Sequence, residues 1–169
     1  MGGGFLNARG FLLAAAIAAL VLLVGCGGGS SDSEVTVQTG TLSKAEFVEK
    51  ADAICEAARK EFLAKYSSFV LAHKSVISSG DEEKEIALLS EAIDTLLTPN
   101  IEGQVEQIGG LGAPSAYAPR AASFLNALQE RLDELQANPP ELTATTTPFK
   151  KAEDAAEKAG MQGCAESFS

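Results

Sequence analysis

The feature that most constrains the fold is an apolar stripe that begins at Phe47. Its residues recur at steps of three and four, which keeps them on one face of a helix. The members of the stripe are Phe47, Ala51, Ile54, Cys55, Ala58, Phe62, Tyr66, Phe69, Val70, His73 and Val76. Just before it, Ser43 and Glu46 of "SKAE" form a capping-box pattern, in which each side chain bonds the other residue's backbone N–H. We therefore predict a helix from Ser43 to about Ser78, where "SSGD" breaks it.

A second stripe with the same spacing starts near Asp81. It comprises Ile86, Leu89, Ile93, Leu96, Leu97, Ile101, Val105 and Ile108. Pro99 lies inside it, and proline removes one helical hydrogen bond and clashes with the preceding turn. The stripe keeps its phase across Pro99, so we predict one kinked helix rather than two unrelated ones. Gly109 and Gly110 end it.

Two further helices complete the pattern. The third runs over residues 115–137 with the stripe Tyr117, Ala121, Phe124, Leu125, Leu128, Leu132 and Leu135. The fourth is short, with Thr147 as N-cap, Pro148 at the first helical position and Gly160 at its end. Its inward positions are Phe149, Ala152, Ala156 and Ala159. Because each helix must bury one apolar face, we predict an all-α, four-segment bundle of three long helices and one short one.

The N-terminus predicts export from the cytoplasm. A short segment with one cation, Arg9, and no acid precedes an unbroken apolar run at residues 11–24. A positive region followed by such a run of about 7–15 residues is typical of a secretory signal peptide. The run is short for a bilayer span, which needs about 20 apolar residues.

The end of this run resembles the lipobox of bacterial lipoprotein signal peptides. The residues are "LVGC", ending at Cys26. The resemblance implies that Cys26 receives a diacylglycerol through a thioether and becomes the mature N-terminus, after removal of the signal peptide at residues 1–25. With two or more acyl chains such as palmitate, the protein would be stably anchored to the extracytoplasmic face of the cell membrane.

The residues after Cys26 predict a flexible linker. Residues 26–42 are rich in Gly, Ser and Thr, which favours a tether between the membrane and the bundle domain at residues 43–169. The alternation in "EVTVQT" fits a short strand, but it has no predicted partner, so we expect a loop.

The charge balance excludes some partners. Loss of Arg9 leaves 12 basic residues against 23 acidic ones, a net charge of −11. We therefore expect no binding of nucleic acid, and none of anionic lipid head groups through a basic patch. Eight acids and one lysine lie between Asp81 and Glu106. We interpret them as a solvated helix face. A docking surface for a basic partner and loose divalent-cation binding are the alternatives, although no EF-hand loop is present.

Two segments resemble a family of small helical lipoproteins and secreted proteins of high-GC Gram-positive bacteria. They are "SKAEFVEKADAICEAARKE" and "TPFKKAEDAAEKAGMQGC". The shared positions are Phe47, Ala51, Asp52, Ile54, Cys55 and Ala58, then Pro148, Phe149, Ala152, Ala156, Gly160 and Cys164. The resemblance implies the helical fold and the extracytoplasmic location, and it implies no activity.

Cys55 and Cys164 are predicted to form a disulfide. Once Cys26 is acylated, they remain as an even pair in an exported domain, where disulfides persist. Cys55 lies on the inward stripe of the first helix, and Cys164 follows the short last helix.

The sequence predicts no enzyme, metal site or cofactor. Its one histidine, His73, lies on an apolar stripe, where a packing role is the more common one. Clustered zinc ligands, a nucleophile elbow and a phosphate-binding loop are all missing from the sequence. We therefore predict a non-enzymatic envelope module that binds another protein or the wall. The alternative is a small-ligand carrier with a pocket between helices, lined by Phe62, Tyr66, Phe69 and Phe124.

Overall fold

The computed structural model describes residues 34–144 and 147–168, and over these ranges it confirms the all-α bundle. Its helices are α1 Lys44–Ala72, α2 Lys74–Ile77, α3 Glu82–Ala92, a π-helical turn Ile93–Leu97, α4 Thr98–Gly109, α5 Ala118–Ala137, α6 Glu141–Ala144, α7 Lys150–Ala159 and α8 Gln162–Ser167. No helix within the described ranges is long and apolar enough to cross a bilayer. The predicted signal peptide, the lipidation site Cys26 and the first part of the linker lie outside the described residues.

Helix α5 is the centre of the core. Its side chains at Phe124, Leu125, Leu128, Leu132 and Leu135 are all fully buried. They pack against α4 on one side and α7 on the other, while α8 closes the core against the first half of α1. The three-and-four spacing therefore buries the face of α5 that the sequence predicts.

The first helix is capped as predicted and is interrupted once. The Ser43 hydroxyl accepts the Glu46 backbone N–H at 3.2 Å, and the Glu46 carboxylate accepts the Ser43 N–H at 2.8 Å. The hydrogen bond from the Ser43 backbone N–H lowers the pKa of Glu46. The predicted helix to Ser78 is divided at His73, where α1 ends and the single turn of α2 follows.

The predicted second helix does continue across Pro99. A π-helical turn precedes the proline, and the Thr98 N–H donates to the carbonyl of Ile93, five residues back. Pro99 then lies at the start of α4, and the wider turn before it lets the helix pass a residue that has no N–H to donate. Ile93, Leu97 and Ile101 are buried in succession, so the wider turn keeps the stripe on the core side.

Two predictions about the C-terminal helices need correction. Thr147 is not the N-cap, because α7 begins at Lys150 after a turn in which the Lys150 N–H donates to the Thr147 carbonyl. Cys164 does follow the short helix α7 as predicted, but α7 is not the last helix, because Cys164 lies on a further helix, α8. The predicted end of α7 is confirmed: Gly160 has φ +81°, and the Met161 N–H donates to the Ala156 carbonyl at 2.9 Å.

The second half of the predicted linker is packed rather than free. Asn126 of α5 accepts the Val35 N–H at 2.6 Å and donates to the Val35 carbonyl at 3.1 Å. Val37 is buried, and Thr39 forms an isolated parallel bridge with Ala113. The segment "EVTVQT" had no predicted strand partner, and in the structure it pairs with the turn after α4. The folded domain begins near Glu34, about nine residues before the predicted boundary at Ser43.

Candidate functional site

Apolar exposure is concentrated in one part of the described chain, which we call the arm. The arm comprises residues 56–92, the second half of α1 together with α2 and α3, and none of its residues is buried. It carries the large apolar side chains that are most exposed: Leu63, Tyr66, Leu71, Ile77 and Ile86. Tyr66 and Ile86 belong to the predicted stripes, whereas Leu63, Leu71 and Ile77 lie beside them. Large apolar side chains that stay exposed together need a reason other than core formation.

An apolar groove runs along the arm in two adjoining parts. The inner chamber has a volume of about 300 Å³ and lies between α1, the π-helical turn and the C-terminal segment. Phe62, Tyr66, Phe149 and Phe168 line it with aromatic rings. The rings of Phe62 and Tyr66 stack, with centroids 5.8 Å apart.

The outer chamber lies between α1, α2 and α3 and has a volume of about 580 Å³. Phe69, Val70, Ile77, Leu88 and Leu89 line it. Both chambers include Phe62, Tyr66, Ala92 and Leu142, so they form one continuous groove. Its size is within the range of small-molecule pockets.

An ion pair positions α6 at the edge of the groove. The Arg131 guanidinium donates to the Glu141 carboxylate at 2.8 Å and to Glu134 at the same distance. The bond from Arg131 lowers the pKa of Glu141. Leu142, the next residue, thereby reaches both chambers.

Two amide side chains form the polar part of the inner chamber. The Asn100 amide group donates to the carbonyl of Ala58 at 2.9 Å. The Gln104 amide group donates to Asn100 Oδ1 at 3.0 Å, and the exposed fraction of Gln104 is 2%. Gln104 Oε1 is buried and has no hydrogen-bond partner among the described residues.

The charged groups of the groove are few. Arg59 lines the inner chamber and Glu85 the outer one. Arg59 forms no ion pair with another described residue, whereas its neighbours Lys60 and Lys65 pair with Glu56 and Glu61. The inner chamber therefore has a positive charge on one side and apolar rings around it.

The predicted cysteine pair lies beside the inner chamber, which Cys55 lines. Cys55 and Cys164 are fully buried and joined, with an S–S distance of 2.05 Å and a Cα–Cα distance of 5.0 Å, which confirms the pairing. The Cys164 N–H also donates to the Asp52 carboxylate at 3.0 Å. These contacts attach α8 to α1 and hold Phe168, at the end of α8, against the chamber.

His73 lies at the junction of α1 and α2 and not in the groove. Its Nδ1 is 2.9 Å from the Phe69 carbonyl oxygen, and its ring packs on Phe69 with centroids 4.3 Å apart. Its Nε2 is 3.8 Å from the Glu91 carboxylate. This is the half-buried packing position that the sequence predicts.

Six of the eight acids between Asp81 and Glu106 are exposed, whereas Asp81 and Glu85 are half-buried and Glu85 lines the outer chamber. Asp81 caps α3, and the bond from the Lys84 side chain, together with that from its N–H, lowers the pKa of Asp81. The residues described by the structure include no group of three His, Cys, Asp or Glu side chains placed to hold a metal ion.

The structure brings together three of the four aromatic residues predicted to line a pocket. Phe62, Tyr66 and Phe69 line the groove. Phe124 lines neither chamber, because it is fully buried in the core, where its ring centroid lies 6.1 Å from that of Phe168. The prediction missed Gln104, although a glutamine between the buried positions Ile101 and Ile108 breaks the apolar stripe.

Comparisons of the chain with protein-family models, curated proteins and solved structures found no match.

Proposed function

We propose that the chain is a membrane-anchored extracytoplasmic lipoprotein that acts as a non-enzymatic binding module, with the groove of the arm as its recognition surface. The observation that carries the proposal is the set of exposed apolar side chains along the arm. Burial of apolar area stabilises by about 25 cal/mol per Å². A partner that covers Leu63, Tyr66 and Ile77, which line the groove, would gain this free energy on binding.

The chemistry of the groove favours binding over catalysis. Its walls are mainly rings and aliphatic side chains, and Asn100 and Gln104 supply amides. Its charged groups, Arg59 and Glu85, lie in different chambers. Ser167 lines the inner chamber, but its hydroxyl donates to the Gly163 carbonyl at 2.7 Å. Catalysis requires a positioned acid, base or nucleophile beside the reacting atom.

The anchor follows from the sequence. The apolar run at residues 11–24 ends in "LVGC", and an acylated Cys26 would hold the domain at the outer face of the cell membrane. The partner would then be an envelope protein, a wall component or an apolar molecule from the membrane. Mass spectrometry of the membrane fraction should show an acylated N-terminus at Cys26, and Cys26→Ser should block lipidation and cleavage.

A photo-crosslinking amino acid at Leu63 tests the recognition surface in intact cells. We expect it to capture a defined partner, and the same group at the exposed Glu157 of α7 to capture none. Ala92→Trp fills the point shared by both chambers, so it should abolish the adduct. Ala87→Trp, on the same helix outside the groove, should leave the adduct intact. Equal adducts at both positions, or an adduct insensitive to Ala92→Trp, would contradict the proposal.

A small-ligand carrier is the second candidate function. The observation that favours it is the inner chamber of about 300 Å³ with an unpaired buried oxygen at Gln104 beside it. An exposed docking face for a protein alone gives no reason for a buried unsatisfied acceptor.

A further inference from the structure

Hydrogen bonds fix which atom of Gln104 is left without a partner. The Ala58 carbonyl can only accept, so the Asn100 side chain must present its amide N–H to it, at 2.9 Å. That orientation leaves Asn100 Oδ1 as an acceptor for the Gln104 amide group, at 3.0 Å. Gln104 must therefore present Oε1, an acceptor, as its free atom.

The position of this acceptor is unfavourable unless something donates to it. A buried, unsatisfied polar group destabilises the folded state because it has lost its water without gaining a partner. Ile101 and Ile108, on the same face of α4, are fully buried and apolar, so an apolar residue would suit position 104 for packing alone. Gln104 lines the inner chamber and also a cavity of about 250 Å³ between α1 and α4. We take the inner chamber, whose other walls are largely apolar, as the place where a bound molecule supplies the missing donor.

From this geometry we infer that the inner chamber binds an uncharged apolar molecule that carries one hydroxyl or amide donor, with the donor on Gln104 Oε1. A carboxylate or phosphate has only acceptors for this atom. An ammonium group could donate, but it would lie in the same chamber as the positive charge of Arg59. An alkyl alcohol has the required donor without a charge.

The groove also accounts for the body of the ligand. From the inner chamber an alkyl chain would pass the stacked rings of Phe62 and Tyr66 and continue into the outer chamber beside Leu88 and Leu89. The inference rests on the proposed role of the groove as a binding surface, and it names the ligand class for that surface.

Photoaffinity labelling of the full chain in membranes tests the inference. The probes are a long-chain alkanol with a diazirine in its chain and the methyl ether of the same alkanol, which keeps the oxygen but cannot donate. In the wild-type protein we expect the alkanol to label groove peptides with an apparent Kd about tenfold lower than the ether, equivalent to about 1.4 kcal/mol.

Variants of α4 assign the effect to Gln104. Gln104→Leu and Gln104→Met remove the acceptor, so both probes should label them with similar apparent Kd values. Gln107→Leu changes an exposed glutamine on the same helix outside both chambers, and it should keep the tenfold preference.

Each other outcome overturns the inference. Equal labelling of the wild type by both probes would show that no donor is recognised, although the groove would still be a binding surface. Labelling by neither probe would remove the ligand class and leave the Leu63 crosslinking result to decide the proposed function. A preference that persists in Gln104→Leu would place the acceptor elsewhere. The wild-type comparison stands even where a variant fails to fold.

Discussion

The domain has two regions, which we call the base and the arm, and the same helical pattern of apolar residues is buried in the base but not in the arm. The base comprises the first half of α1 and the helices from the π-helical turn onward. Every buried side chain of the described chain lies at residues 37–55 or 93–165, and residues 56–92 contribute none. Yet α1 passes through both regions with an unbroken stripe. A periodic stripe therefore predicts a helix and its apolar face, but not what covers that face.

The difference has a physical cause in the number of neighbouring helices. In the base, α1 packs against α4 and α8, and Tyr117 packs edge-on against Phe47, so Phe47, Ala51 and Cys55 are fully buried. In the arm, the same helix has α3 on one side, and the short α6 reaches the groove only through Leu142 and Thr143. Two helices cannot enclose an apolar face, so the groove between them stays open.

The largest effect should come from the disulfide, which belongs to the base alone. The Cys55–Cys164 bond closes a chain of 109 residues, and loss of such a bond typically costs about 2–5 kcal/mol. Cys55→Ala with Cys164→Ala should lower the free energy of unfolding by this amount in urea titrations. Wild-type protein under reducing conditions is the control and should match. An unchanged midpoint in both would mean that the base does not depend on the bond.

A matched pair of leucines should separate the two regions next. Leu128 is fully buried in α5, and Leu128→Ala should cost about 2–5 kcal/mol because it leaves a cavity. Leu71 has an exposed fraction of 75%, and Leu71→Ala should change the free energy of unfolding by less than about 0.5 kcal/mol. Urea unfolding measures both. Similar losses for the two variants would erase the distinction between base and arm.

A pair of glycines sharpens the account of the base itself. A Cβ at Gly163 of α8 would lie 2.8 Å from Cβ of Asp52, so Gly163→Ala should cost about 1–3 kcal/mol by forcing α8 away from α1. A Cβ at Gly103 of α4 would meet only the Gln107 side chain, at 3.8 Å. Gly103→Ala should therefore stabilise the helix by about 0.5–1 kcal/mol. In thermal unfolding, Gly163→Ala should lower the midpoint temperature and Gly103→Ala should raise it. An unchanged midpoint for Gly163→Ala would refute the tight contact.

The smallest effect concerns the two tyrosines, one in each region. The Tyr117 hydroxyl donates to the Ala159 carbonyl at 2.8 Å, so Tyr117→Phe should cost about 1 kcal/mol. Burial, and then the charge of Asp52, raises the pKa of Tyr117. The folded state thus holds this proton more tightly than the unfolded state.

The stabilisation from Tyr117 is complete below about pH 10 and is lost as the pH rises through the folded pKa. Urea titrations from pH 8 to pH 11 should show this loss in the wild type and a smaller one in Tyr117→Phe. Tyr66→Phe, in the exposed arm, should keep the wild-type profile. A Tyr117→Phe profile that equals that of the wild type would contradict the assignment.

The sequence predicted the ends of helices correctly where an end is determined by a few adjacent residues. The capping box at Ser43 and the left-handed Gly160 depend on a few adjacent residues, and both are found in the structure. The start of α7 depends on where Phe149 is buried, which the sequence around Thr147 does not show. The packing of Val35 on Asn126 joins residues 91 positions apart, and no local pattern reveals it.

The groove could be predicted only in part for the same reason. Phe62, Tyr66 and Phe69 share a helix face with each other, so their proximity follows from spacing. Phe124 has the same spacing within its own stripe, but it is fully buried in the core. The polar feature at Gln104 had a sequence signal, since it interrupts a buried stripe, but its free oxygen follows only from the contacts of Asn100 and Ala58.

Hydrogen–deuterium exchange of the full chain tests the central claim most directly, since the account holds that the arm lies outside the cooperative core. Amides of α5 and of the first half of α1 should exchange only through global unfolding, so their free energies of exchange should equal the free energy of unfolding. Those of residues 62–91 should exchange through local opening at a clearly lower free energy. Protection of the arm equal to that of α5 would show that the arm is part of the core, and its exposed apolar stripe would then no longer mark a binding surface.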